Sequence, residues 1–199
     1  MTKELVIVFV KNIKLGKVKT RLAKTVGNEA AFTVYSALVD ITERATSQLN
    51  TDKRIYFSDA IVDSKWPLEY KNVQQGKDLG ERMKNAIAQG FADGYQNIIL
   101  IGSDLPTISN NIITHGFDSL KDNEVVFGPA QDGGYYLIGL TKMQHCIFEN
   151  KPWSTNKLLD LTLEELKSKN IKFGLIETLN DIDTFEDLQA YPDFLKLIS

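Results

Sequence analysis

Between Lys11 and Lys24 the chain carries six cations and no acid: Lys11, Lys14, Lys17, Lys19, Arg21 and Lys24. Gly16 sits among them and lets the backbone approach a ligand closely. Such a loop suits a di- or triphosphate, and a helix starting near Val18 adds its free N–H groups to the anion site. The segment is not a Walker A loop, because Lys11 stands where that pattern needs a glycine, and it is not GxGxxG either. The competing reading is a solvated lysine-rich loop.

Carboxylates supply the opposite sign. Asp104 ends the apolar run "NIILIG" (97–102), with Ser103 before it and Pro106 just after. Here it either holds Mg²⁺, which takes one or two carboxylates plus substrate phosphates, or it organises the turn and caps the next helix. Asp181 and Asp183 stand near the other end in "DIDTFEDL". Asp183 with Glu186 also reads as a capping box. In "GPAQDGGYYLIGL" the Asp132–Gly133–Gly134 turn and Tyr135 either approach a ligand or turn a hairpin. In "QQGKDLGERM", Gln75, Gly76 and Gly80 precede a helix and either read a nucleobase edge or form an ordinary turn. Trp153, Ser154 and Thr155 read as a cap before a helix, with Trp153 in the core. Cys146, His115 and His145 fall in no catalytic or metal pattern.

These residues need a scaffold. The 199 residues, 43% apolar and 25% charged, fit one domain, 1–199, with a substantial core. No apolar run approaches the roughly 20 residues that span a bilayer. Lys11 interrupts the N-terminal run too early for a signal peptide. One cysteine excludes an internal disulfide, so a cytoplasmic location is expected. Two histidines and one cysteine are too few for a Cys/His zinc site. A basic segment in a chain of net charge −3 points to a local anionic ligand and not to nucleic acid.

The periodicity predicts strands at 4–10, 54–58, 72–76 and 97–102, then in "EVVFGPA", "GYYLIGL" and "KFGLIE". Helices are predicted over 28–49, from Leu79 to Phe91, over 108–120, over 155–169 and over 184–191. Alternation of this kind implies a three-layer α/β/α sandwich with a mostly parallel sheet. Ligands then lie beyond the carboxyl ends of the strands. The turns at Lys11, Gln75, Asp104 and Pro129–Gly134 are therefore expected along one edge.

Six of these stretches, in this order, resemble one family: "GKVKTRL", "QGKDLGERM", "GSDLPTI", "GPAQDGGYYLIGL", "WSTNKLLDLT" and "DIDTFEDL". It is the DUF2064-like family of small bacterial GT-A-type proteins, relatives of MobA-like and 2-phospholactate guanylyltransferase-like nucleotidyltransferases. The resemblance implies the nucleotide-diphospho-sugar transferase (GT-A, Rossmann-like) fold. It places the nucleotide on Lys11, Gly16, Lys17, Lys19, Thr20, Arg21 and Ser103, with Gln75, Gly76 and Gly80 by the base and ribose. It makes Asp104 a metal ligand, with Asp183 as the second and Asp181 as the alternate. The loop Asp132, Gly133, Gly134 and Tyr135 would face the acceptor. Proline is frequent in the family where this chain has Ile13 and Phe185, which bears on stiffness and leaves the charges intact.

Three functions follow as expectations. The first is a Mg²⁺- or Mn²⁺-dependent nucleotidyltransferase joining an NMP to a small phosphorylated or phosphonylated acceptor, with pyrophosphate released. Lys19 and Arg21 would steady the pyrophosphate and Asp104 would anchor the metal. The second is a GT-A glycosyltransferase using a nucleotide sugar, with Asp132 as base. The third is a non-catalytic nucleotide-binding protein. The base, the acceptor and the oligomeric state are left open by the sequence.

Overall fold

The computed structural model describes residues 3–198, so Met1, Thr2 and Ser199 of the expected 1–199 domain lie outside the described residues. In chain order the elements are β1 (Glu4–Val10), α1 (Thr20–Val26), α2 (Asn28–Ser47), β2 (Asp52–Phe57), β3 (Tyr70–Val73), α3 (Leu79–Ala92), β4 (Asn97–Ile101) and α4 (Asn110–Ser119). There follow β5 (Val125–Pro129), β6 (Tyr135–Leu140), a 3-10 turn (His145–Ile147), α5 (Leu158–Ser168), β7 (Phe173–Leu175), α6 (Phe185–Gln189) and α7 (Pro192–Lys196).

One sheet of order β3-β2-β1-β4-β6-β5-β7 organises them. All neighbours pair parallel except β6, which runs antiparallel to both β4 and β5. Central β1 is apolar on both faces because both are covered. Val6, Val8 and Val10 join α2 and α4 residues such as Leu38 and Ile113. Leu5, Ile7 and Phe9 join α3 and α5 residues such as Ile87 and Leu166. Each fully buried Ile or Leu is worth about 2 kcal/mol of transfer free energy. The three-layer expectation is met. Among the described residues, no helix is long and apolar enough to cross a membrane.

β2 lies on one side of β1 and β4 on the other, which puts a topological switch point between β1 and β4. Crevices form beyond the carboxyl ends of strands at such points.

Several boundaries differ from the sequence reading. The third strand ends at Val73, so Gln74–Gly76 is loop and not strand. α1 starts at Thr20 and not near Val18, because Lys19 takes the left-handed conformation, φ 43°. α5 starts at Leu158, and the preceding Thr155 hydroxyl donates to the Pro152 carbonyl instead of capping the helix. Ser154, at φ 63°, interrupts helical geometry there. The capping box at α6 is made by Thr184 and Asp187, and not by Asp183 and Glu186. Ser109, not Asp104, caps α4.

Candidate active site

The loop after β1 is fixed from two sides. Buried Asn12 accepts backbone N–H groups from Asp59 and Ala60 and donates to the Ala60 carbonyl, tying this loop to the end of β2. Tyr35 of α2 accepts the Lys11 N–H at 3.0 Å and bonds Ser103 Oγ at 3.0 Å. One phenol thus couples the loop after β1 to the loop after β4. Burial pushes the Tyr35 phenol up to about 12, so it stays neutral and keeps its proton for hydrogen bonding.

Past this anchor the chain turns at Gly16 and brings Lys19 inward. Lys19 is 8% exposed. Its Nζ lies 3.1 Å from Asp104 Oδ2 and 3.4 Å from Asp181 Oδ2. Burial pulls the ammonium down, but Asp104 and Asp181 outweigh it and hold it above the ordinary lysine value. Burial raises the Asp181 carboxyl to about 6, with Lys19 opposing and Asp104, Asp183 and Asp132 adding to the rise. Arg21 reaches Asp183 instead, Nη1 to Oδ2 at 2.7 Å. Asp104 therefore shares its cation with Asp181, the residue the sequence reading ranked second. The reason is local: Asp183 stands at the mouth of α6, within reach of the exposed Arg21.

A cavity of about 470 Å³ opens beyond the carboxyl ends of β1, β2, β3 and β4. Of the expected nucleotide residues, Lys11, Lys19, Thr20 and Ser103 line it, as do the expected metal ligands Asp104 and Asp183. Arg82, Gln74 and Tyr35 line it too and were not anticipated. The Gln74–Gln75 pair offered a signal, but the strand's end at Val73 turns Gln74 inward, its side chain donating to the Tyr56 carbonyl, and leaves Gln75 exposed. Arg82 was hidden in an ordinary amphipathic helix; its Nε donates to the Gly76 carbonyl.

Other expected residues stand elsewhere. Lys17 is exposed, Lys14 pairs with Asp59, and Gly16 lies by the Asn28 side chain, so the six cations do not converge on one point. Gly76, at φ +148°, packs on the start of α3, where a Cβ would sit 2.7 Å from the Arg82 nitrogen. Gly80 lies beneath Trp153, where a Cβ would come 2.4 Å from the indole ring. Gly76 thus packs on α3 and Gly80 seats Trp153, and neither lines the nucleotide-sized cavity. His115 pairs with Glu177, outside both cavities.

A second cavity of about 350 Å³ lies on the other side of Asp104, which lines both. The expected acceptor residues Asp132, Gly134 and Tyr135 line it, together with Tyr136, Trp153 and Asp181. Gly133 does not; it packs on the Asn156 backbone, where any Cβ would clash at 2.1 Å. The register of β5 with β6 shifts at Gly128/Pro129, and the alternation of consecutive strand residues puts Tyr135 and Tyr136 against different core clusters. Tyr136 donates to the Glu177 carbonyl at 2.9 Å. The Tyr135 ring lies tilted against Phe127, and its hydroxyl is buried with no hydrogen-bond partner among the described residues.

Among the described residues, no group of three or more Asp, Glu, His or Cys side chains is placed to hold a metal ion. Asp104 and Asp181 nonetheless converge on one cation, the Lys19 ammonium. Two hard oxygen donors beside a polar cavity suit Mg²⁺ or Mn²⁺ completed by phosphate and water, and do not suit an all-protein cage.

The chain is similar to several known proteins. A family model described as "Uncharacterized protein conserved in bacteria (DUF2064)" matches residues 46–155. The 2-phospho-L-lactate guanylyltransferase of Methanocaldococcus sp. (strain FS406-22) is 29% identical over 125 residues, 59% of this chain. The match spans about half of that enzyme's length, 53%. A crystal structure from Desulfovibrio desulfuricans G20, described as a nucleotide-diphospho-sugar transferase, superposes with a TM-score of 0.90. It is 32% identical, over 96% of this chain and 86% of that one. Rv0371c of Mycobacterium tuberculosis H37Rv, solved with manganese, superposes at 0.55 with 15% identity, over 95% and 97% of the two chains, and shows the fold alone.

Proposed function

The chain belongs to this DUF2064 family of bacterial proteins, and on that premise we propose that it is a transferase of the nucleotidyl class. It would join the NMP of a nucleoside triphosphate to a small phosphorylated or phosphonylated acceptor and release pyrophosphate. The observation that carries this reading is the meeting of two cavities at Asp104, one bordered by Lys11, Lys19 and Arg82, the other by aromatic side chains. The guanylyl transfer named for the Methanocaldococcus relative supports it.

The reaction asks for positioning and charge neutralisation more than for covalent help. An acceptor phosphate oxygen attacks the α-phosphorus, and the bond from that phosphorus to the bridging oxygen of pyrophosphate breaks. The acceptor oxygen is already an anion, so no side chain need remove a proton. Lys11, Lys19 and Arg82 provide the positive wall for the triphosphate. Tyr35 holds that wall to Ser103, so the triphosphate and the carboxylates keep a fixed spacing. Asp104 and Asp181 would hold a divalent cation, which would neutralise charge at the α-phosphate; that Rv0371c, of the same fold, binds manganese supports a divalent cation on this fold.

Incubation with each NTP, Mg²⁺ or Mn²⁺ and a panel of monophosphate acceptors tests the reading. Pyrophosphate with a nucleotidylated acceptor is the expected product. A second reading, sugar transfer from a nucleotide sugar, is favoured by the description of the Desulfovibrio structure. It would yield a nucleoside diphosphate instead, with Asp132 as base.

A further inference from the structure

The two cavities that meet at Asp104 carry opposite charge. Lys11, Lys19 and Arg82 border the first. Among the described residues, none of those lining the second is Lys, Arg or His; the carboxylates of Asp104, Asp132 and Asp181 stand there with Ser154 and Thr155 among aromatic and apolar walls. Lys19 serves Asp104 and Asp181 from the junction. Asp132, exposed at the rim, has no cation partner within salt-bridge distance among the described residues; its Oδ1 accepts the Gly134 N–H at 2.9 Å. A second, independent feature marks this cavity as a ligand site. Tyr135, partly buried, lines it, and its hydroxyl is a buried atom with no partner among the described residues; an unsatisfied buried hydroxyl is costly unless something else meets it.

We infer that the acceptor is a molecule with a single anionic group: one phosphate or phosphonate at the Asp104 junction, and a flat apolar body without further negative charge in the second cavity. The body carries an amine or another hydrogen-bond donor toward Asp132. This deepens the proposed nucleotidyl transfer and rests on it for the role of the phosphate. A second carboxylate on the acceptor would face Asp132 with no cation to offset it, and like charges placed together oppose binding. Trp153 and Tyr136 offer the body aromatic faces, and an ammonium group gains further from such rings. Acceptors that resemble 2-phospholactate, with a carboxylate beside the phosphate, are disfavoured by the same electrostatics.

The test is calorimetric titration of the whole protein, in Mg²⁺, with three matched aryl monophosphates. These are phenyl phosphates bearing a para aminomethyl, hydroxymethyl or carboxylate group. The amine is expected to bind tightest and the carboxylate about tenfold or more weaker than the hydroxyl. Asp132→Asn should bring the amine to the level of the hydroxyl, and Asp132→Lys should reverse the order. Equal or tighter binding of the carboxylate, no binding of any of the three, or an unchanged order in both variants would overturn the inference. Pyrophosphate release with the bound amine is scored separately. Its absence, with the binding order intact, would remove nucleotidyl transfer and leave the ligand class standing.

Discussion

Lys19 Nζ stands 3.1 Å from Asp104 Oδ2, an ion pair formed across 85 residues of sequence. It ties the loop after β1 to the loop after β4 at the point where two cavities meet. The backbone supports it at a cost, because Lys19 holds φ 43°, a conformation that L-residues seldom adopt. Strain of this kind is kept where surrounding structure over-determines it.

Lys19→Met should therefore lower turnover by about 100-fold or more, the range for losing one placed charge at a phosphoryl centre. Circular dichroism should show an intact fold. Near-normal kcat in a folded Lys19→Met protein would remove the lysine from the chemistry.

Tyr35→Phe deletes the hydroxyl shared by Lys11 and Ser103. Stability should fall by about 1–2 kcal/mol, and KM for the NTP should rise roughly tenfold with kcat little changed. Urea melts and steady-state kinetics check both. A purely structural tyrosine would leave KM where it was.

The sheet was legible in the sequence wherever burial wrote it plainly. Glu4–Val10 and Asn97–Ile101 are apolar on both faces because both faces are covered. Asp104, Lys11 and Ser103 could be placed because strand ends point to the crevice. What could not be read was long-range reach. Tyr35 sits in a helix at core spacing, and nothing nearby in sequence says that its hydroxyl meets two loops. Asp181 and Asp183 differ only in which cation each finds, Lys19 or Arg21, and that depends on the path of the loop after β1. Gly80 reads as a glycine beside the base and ribose until Trp153 is seen lying on it.

The raised pKa of Asp181 makes a stability prediction for the metal-free protein. Its folded value, about 6, exceeds the ordinary 3.8. The folded state thus holds the proton more tightly, so the stability it confers is full below pH 3.8 and is lost as pH rises through about 6. In EDTA at about pH 7, Asp181→Asn should melt a few degrees above wild type, on the order of 1–3 kcal/mol, with the gap closing by about pH 4. Scanning calorimetry at both pH values decides it. A lower melting temperature for the variant near neutrality would show the carboxylate to be net stabilising.

Gly80→Ala would press a methyl group into the Trp153 ring. Because that indole lines only the second cavity, KM for the acceptor should rise about tenfold while KM for the NTP stays level, with roughly 1–3 kcal/mol of stability lost to overpacking. Kinetics with each substrate varied in turn separate the two. A change confined to the NTP would return Gly80 to the nucleotide side.

Asp104 is the residue common to both cavities and to the Lys19 pair, so it tests the whole account. With an α-labelled NTP, a monophosphate acceptor and Mg²⁺, wild type should transfer the label to the acceptor and release one pyrophosphate per label transferred. Asp104→Asn, keeping size and fold, should lose about 100-fold or more of that transfer. Label transfer by Asp104→Asn at the wild-type rate, or wild-type label appearing only as nucleoside diphosphate, would contradict the account.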